Sequence, residues 1–301
     1  MWQQLQELYN SPDPTLYAIP FFLLCIVVEL YVARREHLAI YQAPDSVASI
    51  TMGVGSIFTT LIAKSVAFLV FMYLYNNYRL FDIPVAWWSW VLLLFADDFS
   101  FYWHHRLSHE VRLLWAAHVN HHSSEKYNLS TALRQSWTEE LYKFAFWLWL
   151  PVLGFHPLFI FMQMSISLIY QFWIHTQIIK RLPNAVELVF NTPSHHRVHH
   201  ASNVCYLDRN YAGILIIWDR FFGTFAPENP AEPVIYGITT NIHTFNPLRI
   251  ASHEFIAIAH DLVKAKSWQQ RINHLLKPPG WSADGSTQTA KQMQEKLKVD
   301  N

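Results

Sequence analysis

The chain has 301 residues, of which 52% are apolar, 16% aromatic and only 15% charged, where a soluble domain carries roughly 25% charged residues. Its 22 basic and 22 acidic side chains cancel, so no overall field exists to hold nucleic acid or steer an acidic substrate, and a nucleic-acid partner is excluded. Cys25 and Cys205 alone can build neither a disulfide framework nor a CxxC metal site. The outlying number is 17 histidines, 12 of them between His104 and His200, where an even spread would place about five or six.

Runs long enough to cross about 30 Å of hydrocarbon follow in chain order. Leu16 to Ala33 is the first. The residues before it include Glu7 and Asp13 and no Lys or Arg, so it reads as an uncleaved spanning helix and not as a signal peptide. The second run, about Ile50 to Tyr75, contains Lys64, which costs roughly 2.5 to 3.5 kcal/mol at a helix centre on insertion scales. That lysine either faces the bundle interior or, the preferred reading, is paired or snorkels to the interface. The third run, Pro84 to Trp103, opens with Trp87, Trp88 and Trp90 as an interfacial belt would, and leads straight into the first histidines. From Phe144 to Ile174 the chain is apolar but broken by Pro151, Gly154 and His156-Pro157, so a hairpin of two spans is expected, a re-entrant hairpin being the alternative.

These runs predict an all-α integral membrane protein with about four to five transmembrane helices, one pair of them a hairpin. Arg34 and Arg35 follow the first run, and Arg106, Arg112, Lys126, Arg134 and Lys143 follow the third, while only Arg79 lies between the second and third. By the positive-inside rule the N-terminus faces outward, and the loops at 34–49, at 104–143 and after 175 are cytoplasmic. Every histidine cluster then falls on the cytoplasmic side, in a helical cap. Residues 184–225 mix polar turns with apolar runs too short to span, such as GILIIW, and pack against that cap. After Ser267 the chain turns polar and is expected to be a frayed tail without chemistry.

Three clusters carry the chemistry: His105 with His109, His118 with His121 and His122, and His196 with His199 and His200. The spacings are HxxxH, HxxHH and HxxHH. On a helix, residues three and four apart share a face, so each cluster aims two or three imidazoles at one place. Eight imidazoles exceed the coordination of one ion and suit two adjacent ions that keep positions open for a reactant. Imidazole suits iron, zinc and copper alike. His175, at the end of the apolar hairpin, is expected as a ninth ligand. His104 and His195 adjoin ligand positions but point about 100° away on a helix, so they are expected as neighbours. His37, His156, His243, His253, His260 and His274 stand alone and are expected to be structural. A metal-bound imidazole normally donates its second nitrogen to an acceptor. Asp97, Asp98, Glu110 and Glu125 are the nearby candidates, with Asp98 and Glu110 preferred as orienter or proton relay and Glu125 preferred as a solvated charge.

The strings YWHHRLSH from Tyr102, HVNHH from His118 and HHRVHH from His195 resemble the three-box pattern of the fatty acid hydroxylase / sterol desaturase superfamily of membrane di-iron oxygenases. Within a match of roughly residues 95–225, SSEKYNLSTALRQS, QFWIHT, NTPSHHRVHHASN and DRNYAGILIIWDRFFGTF are similar to the alkylglycerol monooxygenase branch of that superfamily. The resemblance implies a membrane region at 1–83, a catalytic domain at 84–266 and a tail at 267–301. It implies two iron ions held by His105, His109, His118, His121, His122, His175, His196, His199 and His200, with Glu110 tuning a ligand or relaying protons. It further implies a lipid substrate, molecular oxygen, and tetrahydrobiopterin-dependent oxygenation of the carbon next to a glycerol ether oxygen. The resulting hemiacetal collapses to a fatty aldehyde and a glycerol. Oxygen activation favours iron over redox-inert zinc. Fatty acid hydroxylases carry a further histidine one turn before the His175 position, where this chain has Gln171. No pterin motif is readable, and Tyr127, Trp137 and Tyr211 are equally good as stacking or packing residues.

Two other functions compete. A lipid, sterol or carotenoid hydroxylase or desaturase would use the same metals with electrons from a redox protein and leave a stable alcohol or alkene. A non-catalytic membrane protein handling metal or haem would instead distribute histidines along its spans. The host membrane is bacterial inner membrane or endoplasmic reticulum.

Overall fold

The computed structural model describes residues 13–300, so the expected acidic start of the chain around Glu7 lies outside the described residues. Among the described residues regular structure is helical, and strand pairing is limited to two isolated bridges, Phe190 with Leu215 and Ala201 with Tyr236.

Helix α1 (Pro14–Arg35) starts where the Asp13 carboxylate accepts from Thr15 N at 2.9 Å and Pro14 supplies a preset φ, and it ends on Arg34 and Arg35. Helix α2 (Ala43–Tyr78) likewise opens with a proline in its first turn. Both are long and apolar enough to cross a membrane. Their outward side chains, Phe21, Leu24, Phe58, Leu61 and Leu69 among them, are exposed, an arrangement stable against lipid and costly against water. Lys64 is not a lone charge, because its ammonium meets the Asp13 carboxylate at 2.5 Å.

Two polar groups tie these helices to the histidine-bearing end. Glu29, inside the apolar run of α1, accepts from Leu129 N at 2.7 Å, from the Tyr41 hydroxyl at 2.6 Å and from the Thr176 hydroxyl. Asp45, in the first turn of α2, pairs at 3.0 Å with Arg134, whose side chain is 1% exposed. Buried charges persist where they are paired and hydrogen-bonded, and Glu29 with its three donors and Arg134 with Asp45, Ser49, Ser123 and the Asn120 carbonyl are so held.

The third apolar run becomes α3 (Trp87–Glu110), which continues past Trp103 through the first histidines and packs against α4 (Arg112–His122) with only Val111 between them. The expected hairpin of two spans is built differently. Its first limb is α5 (Glu140–Lys143), a 3-10 turn over Phe144–Trp147 and α6 (Trp149–Leu153), each far too short to cross. The breaks follow from Pro151 and from Gly154, which sits at φ +117 with the Phe81 carbonyl 1.9 Å from where a Cβ would stand. Its second limb is α7 (Pro157–Trp173), 17 residues long, capped by His156 Nδ1 accepting from Leu158 N at 3.3 Å.

The remaining elements are α8 (Asn184–Val189), α9 (Pro193–His199), α10 (Ile217–Phe222), α11 (Pro247–Lys264), α12 (Trp268–Leu276) and α13 (Ala290–Asp300). The polar tail expected to fray is largely helical and docked. Arg112 N donates to the Lys277 carbonyl at 3.2 Å, and Gln294 Nε2 donates to the carbonyls of Val204 and Leu207 at 3.1 and 2.8 Å. Long-range hydrogen bonds, invisible to an apolar count, hold it. The main apolar core joins α2, α3, α6 and α7 through Phe71, Leu93, Leu150, Phe159 and Ile160, and Phe22 of α1 stacks on Phe172 at 4.0 Å.

Candidate metal centre

The three histidine clusters sit at three helix ends that meet. His105 and His109 lie in the last turns of α3, His118, His121 and His122 close α4, and His196, His199 and His200 close α9, while His175 follows α7. All nine are buried. They form two groups, each with its donor atoms within 4.8 Å of one another: His105, His109, His118, His122 and His199 in one, His121, His175, His196 and His200 in the other. The sequence clusters therefore do not map one to a group. His118 and His122 share a face at i,i+4, as do His196 and His200, while His121 and His199 point off that face and join the opposite group. The rings of His122 and His200 stack at 4.4 Å and link the two groups.

Outward hydrogen bonds fix several rings. Nδ1 of His105 donates to the Tyr211 carbonyl at 2.7 Å, Nδ1 of His175 to the Gln171 carbonyl at 2.7 Å, and Nδ1 of His199 to the Arg209 carbonyl at 3.0 Å. Nδ1 of His118 donates to the Glu139 carboxylate at 3.2 Å. Each acceptor takes the proton on Nδ1, so in His105, whose ring burial keeps neutral, the inward Nε2 carries a lone pair, and it faces Nε2 of His118. Those two Nε2 atoms are 3.0 Å apart. A lone pair that close to a second ring nitrogen is stabilised by a cation between them, a proton or a metal ion. His109, His122, His199 and His200 each keep a buried Nε2 without a protein partner, a cost that a shared metal removes. The donor set fits a metal.

The electrostatics agree. Burial first, then the neighbouring imidazoles, push His105, His109, His121, His122, His196 and His200 well below the usual histidine value. Burial pushes His199 down to about 3 and His175 to about 4. Rings held neutral are rings with a lone pair for a metal. For Glu139, burial alone would raise the carboxyl, but His118, His104 and Lys143 outweigh it and hold it below the usual range.

Residues 90–224 match the family model for fatty acid hydroxylases. Over those residues the chain is similar to the fatty acid hydroxylase family. It is 41% identical over 281 residues to the alkylglycerol monooxygenase of Homo sapiens, covering 92% of this chain and 62% of that protein. It is 40% identical to that of Danio rerio, covering 93% and 61%. A shorter similarity, 33% over 145 residues, covers 48% of this chain and 43% of the ornithine lipid hydroxylase OlsE of Rhizobium tropici. The chain spans about three fifths of the length of the alkylglycerol monooxygenases it matches. No solved structure matches it.

The carboxylates near the histidines have partners of their own. Asp98, expected to orient a ligand or relay a proton, accepts instead from Ile214 N at 2.7 Å, Leu215 N at 2.9 Å and Trp218 Nε1 at 3.0 Å, so its lone pairs pin the 211–218 loop. Asp97 accepts from Trp147 Nε1 at 2.7 Å. Glu110, adjacent to His109, pairs with Arg106 at 2.9 Å. Glu125, half exposed, faces His243 at 3.3 Å, as a solvated charge would. The carboxylates that do reach the cluster are Glu139, on His118, and Asp208, whose Oδ1 is 3.8 Å from His109 Nδ1. Sequence reasoning missed both because neither shares a helix face with its histidine. His104 and His195 are neighbours, facing Glu139 at 3.4 Å and Glu187 at 2.9 Å. Of the aromatics, Tyr127 stacks on Tyr236 at 4.7 Å, Trp137 donates to the Met52 carbonyl, and Tyr211 packs 5.3 Å from His109.

Proposed function

We propose that this chain is a membrane di-iron monooxygenase that hydroxylates the ether-linked carbon of alkylglycerol lipids, releasing a fatty aldehyde and a glycerol derivative. The observation that carries the reading is the pairing of nine buried histidines, in groups of five and four, with an identity of about two fifths to alkylglycerol monooxygenases across nine tenths of the chain. His105, His109, His118, His122 and His199 hold one iron, and His121, His175, His196 and His200 hold the other. Iron, when bound, supplies the reduction and activation of oxygen that imidazoles and carboxylates cannot. Tetrahydrobiopterin is the electron donor by likeness to the family.

The protein's own part is to keep the rings neutral by burial, to fix their orientation through the Tyr211, Gln171 and Arg209 carbonyls and Glu139, and to exclude bulk water. Glu110, next to His109, is the proposed proton-relaying carboxylate, and Asp98 acts on the centre through the loop that carries Tyr211. Overall, one oxygen atom enters the C–H bond beside the ether oxygen, the other leaves as water with two electrons and two protons, and the hemiacetal opens by C–O cleavage. The alkyl chain remains in lipid while the glycerol end reaches the histidines. In this reading the protein is multi-pass, α1 and α2 being joined by α3 and α7 as membrane segments, and the histidines lie on the cytoplasmic side in a cap. Residues 84–266 form the catalytic domain.

The test is fatty aldehyde release from an alkylglycerol by membranes containing the protein, oxygen and tetrahydrobiopterin, with His199→Ala as control. Aldehyde that requires pterin and His199 supports the assignment. A stable alcohol formed with a redox-protein donor in place of the pterin would move the enzyme to the lipid hydroxylase class, to which the OlsE relative belongs by name.

A further inference from the structure

Helices α11 and α12 carry an apolar surface with no protein cover. Leu248, Ile256 and Val263 fall within about 80° of one another around α11, and Trp268, Ile272 and Leu276 repeat every fourth residue along α12, so each helix has one apolar stripe. Val263 is 83% exposed and Trp268 75%. In water such a surface is costly.

Charge marks what covers it. Between residues 247 and 277 the basic residues are Arg249, Lys264, Lys266, Arg271 and Lys277, and the acidic ones are Glu254 and Asp261 alone. Both carboxylates are turned inward onto Arg112, at 2.7 and 2.6 Å. None of the five cations forms an ion pair among the described residues, so the outer side of the two helices is basic as well as apolar. Position adds a third argument. Ile250, fully buried, packs on Ala48 and Met52 of α2. In those same turns of α2, Val47, Ile50 and Val54 begin its exposed apolar outer surface. The amphipathic pair is thus fixed to α2 at the depth where the lipid-facing surface starts.

We infer that α11 and α12 lie in the plane of the bilayer surface, their apolar stripes among the acyl chains and their cations on anionic headgroups. Arg112 at the head of α4 is bound to both helices through Glu254, Asp261 and the Lys277 carbonyl. This anchor would hold α4, with His118, His121 and His122, at a set height over the lipid. The inference rests on the reading of α1 and α2 as membrane spans.

The test uses the whole chain, with Cys25 and Cys205 replaced by serine, in vesicles of phosphatidylcholine containing a minor fraction of phosphatidylglycerol. Nitroxides are placed singly by Val263→Cys, Trp268→Cys and Ile272→Cys, with Gln269→Cys as polar control and Phe58→Cys on the outer face of α2. Collision with oxygen reports lipid, and collision with a water-soluble nickel chelate reports water. The expected oxygen-to-nickel ratio at 263, 268 and 272 exceeds that at 269 several-fold, approaches that at 58, and falls on Lys264→Glu with Lys266→Glu. A nickel-accessible 268 and 272 would overturn the inference, as would sites closed to both reagents, which would mean a protein partner covers the stripe. A nickel-accessible 58 would overturn the membrane-span reading itself, so the two failures are distinguishable.

Discussion

Glu139 accepts from Nδ1 of His118 at 3.2 Å and faces Nε2 of His104 at 3.4 Å, so one part-buried carboxylate joins a proposed ligand to a histidine outside the ligand set. Outer partners of this kind set the tautomer and basicity of a ligand. Replacing Glu139 by Gln keeps an acceptor without the charge, and replacing it by Ala removes both. Iron affinity, read by competition with a chelator, is expected to fall about 10-fold for Glu139→Gln and nearer 100-fold for Glu139→Ala. Equal affinity in all three proteins would refute the link.

Each histidine group is testable separately. His121→Ala removes one member of the group of four, and His199→Ala one member of the group of five. Each is expected to lose about one iron per chain relative to the unaltered protein and to abolish turnover, while the protein still inserts in membranes. Metal analysis of the purified variants checks the first outcome. Turnover retained in both would sink the ligand assignment.

The pH dependence has a defined sign. Burial holds His199 at about 3 and His175 at about 4, below the ordinary 6.5. Above 6.5 the folded and unfolded chains both carry these rings neutral. Below it the unfolded chain takes up protons that the folded chain refuses, so stability declines as pH falls from 6.5 towards 3. Thermal unfolding followed by tryptophan fluorescence is expected to show a flat Tm above neutrality and a falling one below 6.5. Iron loading should raise Tm, and chelation should lower it. A Tm that rises on acidification would contradict the buried neutral cluster.

Asp98 is predicted to matter for stability before chemistry. Asp98→Ala leaves the N–H groups of Ile214 and Leu215 and the Trp218 indole buried without their acceptor, a loss of at least about 3 kcal/mol at about 1 kcal/mol or more for each donor. Gly213→Ala should weaken the same contact, because its Cβ would come within 2.8 Å of both Asp98 Oδ1 and the Phe101 ring. Unfolding in detergent measures both. An unchanged midpoint for Asp98→Ala would return the residue to a purely catalytic role.

The sequence by itself determined the helical class, the two long apolar helices, and which nine histidines come together. These are local properties: an apolar run declares its length, and i,i+4 spacing places imidazoles on one face whatever the helix packs against. Lys64 was legible as a paired charge for the same reason, since a lone ammonium in hydrocarbon is too costly to keep. The division of the histidines into five and four is not local, for it arises where the ends of α3, α4 and α9 meet and rings one residue apart turn to opposite sides. Their outward partners were equally out of reach, because Glu139 lies 21 residues from His118 and the Tyr211 carbonyl 106 residues from His105. Asp98 shared the histidine face in sequence spacing, yet three donors from a loop more than a hundred residues away claimed its oxygens. The hairpin became a broken limb and a single helix because Gly154 must admit the Phe81 backbone. Spacing fixes direction along one helix, but hydrogen-bond partners are chosen by whichever donors and acceptors packing brings within 3 Å, and that choice belongs to the tertiary structure.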